Sequence, residues 1–563
     1  MKRRQFIKTL ALSTPAVLAS NQLLASLPLP ENGFGESLAA DLVIAGGGTG
    51  GCAAALAAAR NGLRVILTEE TDWIGGQFTS QVVPPDEHRW IESHGATRSY
   101  REFREGIRAY YRRHYPLTDE ARAREHLNPG GGSVSRLCHE PRVSLAVLYE
   151  MMAPHLATGR LRILLEHRVV EADVDGDRIA AVVVSDRRTG RRRTLEAPWF
   201  IDATELGSLL PLAGAEYVTG AESREETGEL HAAEEAQPEN MQSVTWCFPM
   251  EYVPDGDFVQ DPPPDYAFWR DFVPELSPPW PGRLLDFTYS NPRTLEPSTW
   301  VFDPADEARG WWLYRRIVDR RNFQPGTYEG SATLVNWPQN DYFLGHMMGD
   351  DEETGKHLAG ARNLSLSLFY WLQTEAPRPD GGAGWPGLRL RPEMVDTFDG
   401  LAKYPYIRES RRIRAEFTVL EQHVGVEARR ELLGRPSGSI KAEEFDDSVG
   451  IGAYSIDLHP STGGDNYIDV QSLPFQIPLG ALIPRRLENL LAGCKNIGTT
   501  HITNGCYRLH PVEWNIGEAA GLLAAYCRNN KTTPRQTRGA ERRLREFQGK
   551  LDGEGVERAW PQT

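Results

Sequence analysis

The sequence is poor in cysteine and lacks the spacing that would give its cysteines a structural task. Six cysteines occur among 563 residues, most of them far apart, and no two form a C-x-x-C pair. Zinc sites and redox motifs need closely spaced thiols, and disulfide frameworks are typical of much shorter chains. We therefore predict no disulfide framework and no metal site.

Long apolar runs and basic patches are also missing. After residue 27, no stretch approaches the roughly 18 uninterrupted apolar residues of a membrane-spanning helix. Acidic residues outnumber basic ones, 77 to 62, and no Lys/Arg cluster is interleaved with aromatic residues. A nucleic-acid partner is therefore excluded, because its phosphates would be repelled. The remaining composition, 40% hydrophobic and 25% charged, is that of a folded globular protein whose length predicts two domains.

The first 27 residues differ from the rest of the chain. Lys2, Arg3 and Arg4 precede a modestly apolar run over residues 6–27, an arrangement typical of an export signal. Within it, residues 3–8 (RRQFIK) resemble a twin-arginine signal, which directs already folded proteins to the export machinery of that name. An ordinary secretory signal is the alternative. The sequence predicts a bacterial protein that is periplasmic or otherwise exported.

A glycine-rich turn provides the strongest motif. Residues 40–45 predict a buried strand, and Gly46, Gly48 and Gly51 satisfy G-x-G-x-x-G directly before a predicted helix and a second strand. These glycines permit a tight turn, close approach of a pyrophosphate and close packing of helix on strand, while the helix N-terminus favours phosphate charge. Glu69 ends the second strand, where a carboxylate can accept ribose hydroxyls. The pattern predicts dinucleotide binding.

The glycine motif alone does not distinguish FAD from NAD, and later segments favour FAD. Residues 73–77 resemble the segment that FAD enzymes of the glutathione-reductase-like superfamily run along the pyrophosphate and flavin. A predicted strand at 487–493 and a predicted helix at 512–527 resemble the elements beside the ribityl chain and the flavin pyrimidine edge. The resemblance implies FAD contacts from these residues: Gly46, Gly48, Thr49, Gly51, Glu69, Gly76, Gln77, Val169, Ala203, Thr204, Asn496, Asn515, Ile516 and Gly517.

Together these segments resemble the bacterial FAD-dependent oxidoreductase family, which is related to fumarate-reductase and glutathione-reductase-like flavoproteins. The resemblance runs from about residue 40 to 530, and Glu205 departs from it because many relatives carry glycine there. It implies an α/β protein with a Rossmann-like, glutathione-reductase-type FAD-binding domain and an inserted α+β cap domain. The expected parts are the signal (1–27), the FAD-binding domain (38–219 and 481–530), the cap (220–480) and a charged helical tail (531–563).

The cap is expected to form the other wall of a substrate cleft. It is rich in Trp, Pro and Tyr, and aromatic rings in clefts stack on sugars, although most such rings in a segment of this size belong to a core. A sugar or a hydroxy acid is therefore the expected class of small-molecule substrate.

Candidate catalytic residues follow from the need to remove a proton while hydride leaves the substrate. His459 and His510 are candidates because each precedes a proline in a turn-like segment, and His510 lies just before the predicted flavin-facing helix. Arg508 or Arg408 could hold a carboxylate or stabilise anionic flavin. The alternatives are hydrogen-bonded structural histidines and, for Arg408, a structural ion-pair network.

Three functions remain open from the sequence. The first is an exported dehydrogenase that transfers hydride from a small organic substrate to flavin N5 and passes the electrons to an unidentified acceptor. The second is a flavin-dependent reductase of an activated double bond, as in fumarate-reductase-like relatives. The third is a non-catalytic binding protein that retains the FAD fold as a scaffold.

Overall fold

The computed structural model describes residues 37–561, so the export signal predicted at 1–27 lies outside the described residues. A parallel sheet organises the first part of the fold. Its strands are β1 (Leu42–Ala45), β2 (Val65–Glu69), β3 (Leu161–Leu165), β4 (Phe200–Asp202) and β5 (Leu490–Ala492). They pair in the order β5-β4-β1-β2-β3. All residues of β1, β2, β4 and β5 are buried, because a parallel sheet is covered on both faces.

Six of the helices are labelled α1 to α6 in chain order. They are α1 (Thr49–Arg60), α2 (Arg98–His114), α3 (Pro141–Ala157), α4 (Asp351–Thr374), α5 (His501–Tyr507) and α6 (His510–Asn530). Helices α1 and α6 cross closely: a Cβ atom on Gly517 would overlap the Gly50 carbonyl, and one on Gly521 would overlap that of Ala54. Glycine is therefore required where these two backbones meet.

Helix α6 begins at His510, two residues earlier than the sequence pattern predicts. Leu509 is its N-cap, and Pro511 lies in the first turn. A proline is tolerated there because the first-turn N–H groups have no partner within the helix. His510 is consequently part of the helix rather than of the loop before it.

A second sheet flanks the parallel one. Its strands, in spatial order, are Leu38–Ala39, Arg192–Glu196, Arg178–Asp186 and His167–Asp175. The last three form antiparallel hairpins, whereas the first pairs in parallel. This sheet brings Val169 next to the end of β2.

The segment between β4 and β5 contains both strands and helices, as predicted for the cap. Its main antiparallel sheet has the spatial order Arg316–Val318, Ala332–Val335, Phe248–Tyr252 and Leu388–Leu390. Two-stranded pairs accompany it: Tyr217–Val218 with Arg412–Ile413, Val244–Thr245 with Asp341–Tyr342, Thr288–Ser290 with Pro297–Thr299, Ser448–Gly452 with Phe475–Pro478, and Ile456–Leu458 with Ile468–Val470. The domain boundaries at 219 and 480 stay predictions.

Short helices complete the fold, and the charged tail is helical as predicted. They are Asp119–Ala123, Leu209–Leu212, Arg224–Thr227, Tyr266–Asp271, Gly310–Tyr314, Pro392–Val395, Glu421–Val424, Val426–Leu433, Pro534–Gly539 and Glu541–Glu554. Phe547 and Leu551 of the last helix are buried, so the tail packs onto the body. All six cysteines are free and buried.

Two negative findings concern the part of the chain that the structure describes. None of the helices within residues 37–561 has both the length and the apolar composition that a membrane span needs. Over the same residues, no group of His, Cys, Asp and Glu side chains is arranged to hold a metal ion.

Candidate active site and cofactor cradle

The turn from β1 into α1 forms the floor of a narrow cavity at the carboxyl ends of the parallel strands. Gly46 has a φ of +95°, which favours glycine, and Gly48 is the N-cap of α1. Of the residues predicted to bind the cofactor, the cavity brings together Gly46, Gly48, Glu69, Val169, Ala203 and Thr204. We call this cavity, together with the loop at residues 75–77 and the residues hydrogen-bonded to either of them, the cradle.

Glu69 lies at the end of β2, where the sequence places it. Its Oε2 accepts a hydrogen bond from Gly47 N at 3.0 Å, and its Oε1 accepts one from Thr71 N at 2.8 Å. Burial raises the pKa of Glu69 to about 8, against the opposing effect of the Thr71 hydrogen bonds. A carboxyl group in this state both donates and accepts, which suits the hydroxyls of a ribose.

Two glycine loops face each other across the cradle. A Cβ atom on Gly48 would lie 2.8 Å from Glu205 Oε1, and one on Gly76 would lie 2.9 Å from the same oxygen. Thr49 fastens the loops together, since its Oγ1 donates to Gly75 O at 3.0 Å. The glycines therefore leave a narrow gap beside the backbone, of the kind that a pyrophosphate site requires, and the Glu205 carboxylate lies in it.

Unpartnered polar atoms mark the cradle as a ligand site. Gln77 Nε2 donates to Arg508 O at 3.0 Å and to Glu513, but Gln77 Oε1 is buried with no hydrogen-bond partner among residues 37–561. Both polar side-chain atoms of Gln81 are buried and lack a partner within the same range. Buried polar groups are nearly always paired, so these atoms fit a polar cofactor as the missing partner.

The other predicted cofactor residues have packing tasks. A Cβ atom on Gly51 would overlap the Gly46 carbonyl. Asn496 Nδ2 donates to Asp202 O at 3.1 Å, and Asn515 Nδ2 donates to Val449 O at 3.1 Å. Ile516 is buried in the core. Because α6 starts at His510, residues 515–517 lie beyond its first turn, with Gly517 against α1; contact of the flavin pyrimidine edge with these residues stays a prediction.

A pocket of about 450 Å³ adjoins the cradle, within the size range of small-molecule sites. The two share Arg508, which lines the pocket and accepts the Gln77 hydrogen bond through its carbonyl oxygen. Aromatic rings form much of the wall: Tyr289, Trp300, Trp311, Tyr314, Trp337, Tyr406, Tyr454 and Tyr467. These rings lie within residues 220–480, the segment predicted as the cap, and the identity of this pocket as the substrate cleft stays a prediction.

Each arginine at the pocket is paired with a carboxylate. The pairs are Arg293–Asp469 at 3.4 Å, Arg315–Asp86 at 3.3 Å, Arg408–Asp341 at 3.0 Å and Arg508–Asp457 at 3.2 Å. Burial alone would raise the pKa of Asp457, but His459 and Arg508 hold it well below its usual range. Each arginine of the pocket therefore has a carboxylate partner, three of which line the pocket while Asp341 lies behind its wall.

His459 is positioned as a proton acceptor at this pocket. Its Nδ1 donates to Asp341 Oδ2 at 2.6 Å, its Nε2 lies 3.7 Å from Asp457 Oδ2, and its side chain is 19% exposed. Burial would raise the pKa of Asp341, but the charges of Arg408 and His459 lower it. A charged carboxylate only accepts hydrogen bonds, so Nδ1 carries a proton, and when the ring is neutral Nε2 keeps its lone pair.

His510 is placed differently from its predicted position. It is fully buried against Phe78, with ring centroids 4.7 Å apart, and its Nδ1 accepts a hydrogen bond from Asp86 N at 3.1 Å. Burial, and next the charge of Arg315, lower its pKa well below the ordinary value. The residues that line the pocket include His459 but not His510. The geometry thus favours His459 over His510 as the base.

Arg508 and Arg408 both reach the pocket from rigid surroundings. Arg508 Nη1 donates to Tyr406 OH at 2.8 Å, and Arg408 Nη1 donates to Ser243 O at 2.9 Å. For both arginines Nε is buried and finds no partner in the described part of the chain. Arg408 is part of an ion-pair network, as the structural alternative predicted. In both arginines the Nε–H group remains available to donate a hydrogen bond.

Several residues at the site escaped the sequence analysis. Lys495 and Glu513 lie in the cradle, while Asp86, Arg315 and Asp341 lie at or behind the pocket. Each is a single charged residue without a motif, and their proximity depends on contacts between distant segments. Only Lys495 had a neighbouring signal, because it precedes Asn496.

A β-strand, glycine turn and helix at the centre of a parallel sheet, with an acidic residue at the next strand end, define a Rossmann-like nucleotide-binding flavoprotein fold. Residues 41–551 match the family described as FAD dependent oxidoreductase. The chain belongs to this family: it is an oxidoreductase enzyme, and FAD is its cofactor. When bound, FAD would be held by the cradle residues Gly46, Gly48, Glu69 and Gly76. The comparison with curated proteins finds no match.

Solved structures match the chain only in part. L-proline dehydrogenase from P. horikoshii is 17% identical, with 35% of this chain and 26% of that chain covered and a TM-score of 0.17. The Mycobacterium smegmatis Sdh1 complex is 15% identical, with 39% and 42% covered and a TM-score of 0.22. The myxobacterial FAD-dependent halogenase CndH is 17% identical, with 40% and 46% covered and a TM-score of 0.20. The chain spans less than half the length of these proteins.

Proposed function

We propose that this oxidoreductase is a dehydrogenase that oxidises an alcohol group of a neutral, sugar-like substrate. The observation that carries the proposal is the balanced polarity of the aromatic pocket, in which Arg293, Arg315, Arg408 and Arg508 each have a carboxylate partner. A hydroxy acid would bring a further negative charge that no arginine is free to neutralise. A neutral substrate avoids this cost.

The unpartnered atoms of the pocket match the chemistry of hydroxyl groups. Trp311 Nε1, Trp337 Nε1 and Arg315 Nε are buried donors without a hydrogen-bond partner within residues 37–561, and Asp469 Oδ1 is a buried acceptor in the same state. A hydroxyl both donates and accepts, so several hydroxyls on one ring could satisfy this mixed set. The indole rings offer apolar faces on which the C–H face of a sugar ring could stack.

In this proposal, residues of the protein itself accept the proton of the substrate hydroxyl group. When bound, FAD would supply the two-electron acceptor for the hydride that leaves the substrate. Nε2 of His459 takes the hydroxyl proton, and Asp341 fixes the ring tautomer and stabilises the imidazolium that forms. The free Nε–H of Arg508 is placed to hold the substrate oxygen. The surrounding rings exclude water from the reacting groups.

We also propose that the protein is exported already folded. The support is the RRQFIK segment at residues 3–8, followed by a modestly apolar run. Insertion of FAD before transport fits this route. The electrons would then pass to an acceptor outside the cytoplasm.

Anaerobic reduction of the purified protein tests the function. We expect neutral sugars to bleach the flavin absorbance near ~450 nm faster than hydroxy acids of similar size do. His459→Ala should slow this bleaching by roughly 10²- to 10⁴-fold while FAD stays bound. His510→Ala is the comparison, and its flavin content is measured alongside.

Three outcomes would contradict the proposal. Faster reduction by hydroxy acids would overturn the substrate class, and loss of rate in His510→Ala but not in His459→Ala would transfer the base to His510. Failure of every alcohol, combined with oxidation of dithionite-reduced protein by an activated alkene, would identify a reductase of double bonds instead.

A further inference from the structure

Three charged residues outside the predicted set lie together in the cradle. Lys495 is only 1% exposed; its Nζ donates to Glu205 Oε2 and lies 3.9 Å from Glu513 Oε2. Burial would lower the pKa of Lys495, but Glu205 and Glu513 raise it overall, so the ammonium stays charged. One buried cation is thus shared by two acidic side chains.

Both acidic side chains lie where an anionic ligand is expected to bind. Glu513 Oε1 accepts a hydrogen bond from Gly50 N at 3.3 Å, at the N-terminus of α1. Glu205 Oε1 lies in the gap between the glycine loops, 2.8 Å and 2.9 Å from the Cβ positions of Gly48 and Gly76. A helix N-terminus and a glycine turn attract phosphate oxygens in nucleotide sites, and here Glu513 accepts from one of these donors while Glu205 lies beside the turn.

The gap is too narrow, and too negative, for Glu205 and a diphosphate together. A diphosphate in van der Waals contact with the two glycines would overlap Glu205 Oε1, and its charges would repel the carboxylate. The Glu205 side chain has room to turn away from the gap, because it is 17% exposed and lines the cavity beside Leu206 and Tyr404. Lys495, by contrast, is held in the interior and would remain beside the diphosphate.

We propose that Glu205 is an internal plug of the diphosphate gap: its carboxylate competes with the diphosphate of FAD for the space between the glycine loops and for Lys495. Glu205 keeps the buried ammonium of Lys495 paired, since an unpaired one would destabilise the fold. This competition lowers the net affinity for FAD. Glu205 and Lys495 therefore act on cofactor binding in opposite directions.

Titration of FAD into the full-length protein, stripped of its flavin, tests this proposal. Glu205→Gln should tighten FAD binding by roughly tenfold, because the cofactor no longer competes with a charged partner for Lys495. Lys495→Met should weaken it by at least about tenfold, because the diphosphate loses its cation. Glu205→Gln should also lower the melting temperature of the flavin-free protein and leave that of the FAD-bound protein nearly unchanged.

The controls make each outcome decisive. Glu416→Gln removes a carboxylate paired with Arg535 and Arg538 elsewhere on the protein, and should leave FAD affinity unchanged. Weaker FAD binding by Glu205→Gln would show that Glu205 holds the cofactor and would overturn the plug. Unchanged affinity in Lys495→Met would remove Lys495 from the diphosphate site. If Lys495→Met does not fold, Lys495→Arg should retain FAD binding, and the direction of the Glu205→Gln effect still decides the proposal.

Discussion

Replacing Gly48 with alanine should empty the cradle of FAD while the protein stays folded. Gly48 has an ordinary φ of −65°, and the nearest backbone atom to an added Cβ, Ala203 O, is 3.8 Å away. The only close atom is Glu205 Oε1 at 2.8 Å, the end of a flexible side chain. The cost to folding is that of a less suitable helix N-cap, about 1 kcal/mol.

The cost to FAD binding is larger. A methyl group on residue 48 would separate the diphosphate from the backbone N–H groups at the start of α1. Loss of two charge-assisted hydrogen bonds, at about 1.5–3 kcal/mol each, corresponds to a roughly 10²- to 10⁴-fold larger dissociation constant.

The assay compares flavin absorbance per protein with the melting temperature. Gly517→Ala is a useful contrast, because its Cβ would overlap the Gly50 carbonyl and should lower both flavin content and stability. No atom lies near the Cβ position of Gly355 in α4, so Gly355→Ala should lower neither the flavin content nor the stability. Normal flavin content in folded Gly48→Ala protein would refute the assignment of the diphosphate to this turn.

The remaining predictions concern the base, pH and export. Asp341→Asn should slow flavin reduction by roughly 10²-fold or more with FAD still bound, since His459 loses its orienting carboxylate, and stopped-flow absorbance would show it; a wild-type rate would contradict that role. Burial raises the pKa of Glu229 from 4.5 to about 8. The protonated form therefore stabilises the folded protein below pH 4.5, and this stabilisation is lost as the pH rises toward 8. Glu229→Gln should therefore lose less melting temperature between those pH values than wild type, and equal losses would count against this. Arg3→Lys with Arg4→Lys should leave precursor in the cytoplasm on fractionation; normal periplasmic accumulation would indicate a secretory signal instead.

Local patterns made the cofactor half of the fold predictable. The apolar strand before Gly46, the alanine-rich helix after it and the acidic residue at Glu69 are all encoded within one short segment. Each element follows from residues near it in sequence, so the structure confirms them with shifts of a few residues. The α+β nature of the cap was expected only from the family resemblance, and its strands are too short for their pairing to be predicted.

The pocket could not be predicted in the same way. His459 acts with Asp341, which lies 118 positions earlier in the chain, and no spacing rule connects them. The predicted turn at His510 was wrong: its place before Pro511 suggested a turn-like segment, but helix α6 includes it and Phe78 packs against it. Burial of this kind depends on packing between distant elements, which a local pattern does not contain.

The pairing of α1 with α6 affects how the protein is made. Gly50 and Glu513, hydrogen-bonded across the cradle, are separated by 463 positions. A ribosome that adds about 5–20 residues per second needs roughly 20–90 s to cover that interval. Until β5 and α6 emerge, β4 is an unprotected sheet edge and the glycine face of α1 has no partner. The contact between α1 and α6 can therefore form only after nearly the whole chain has been translated.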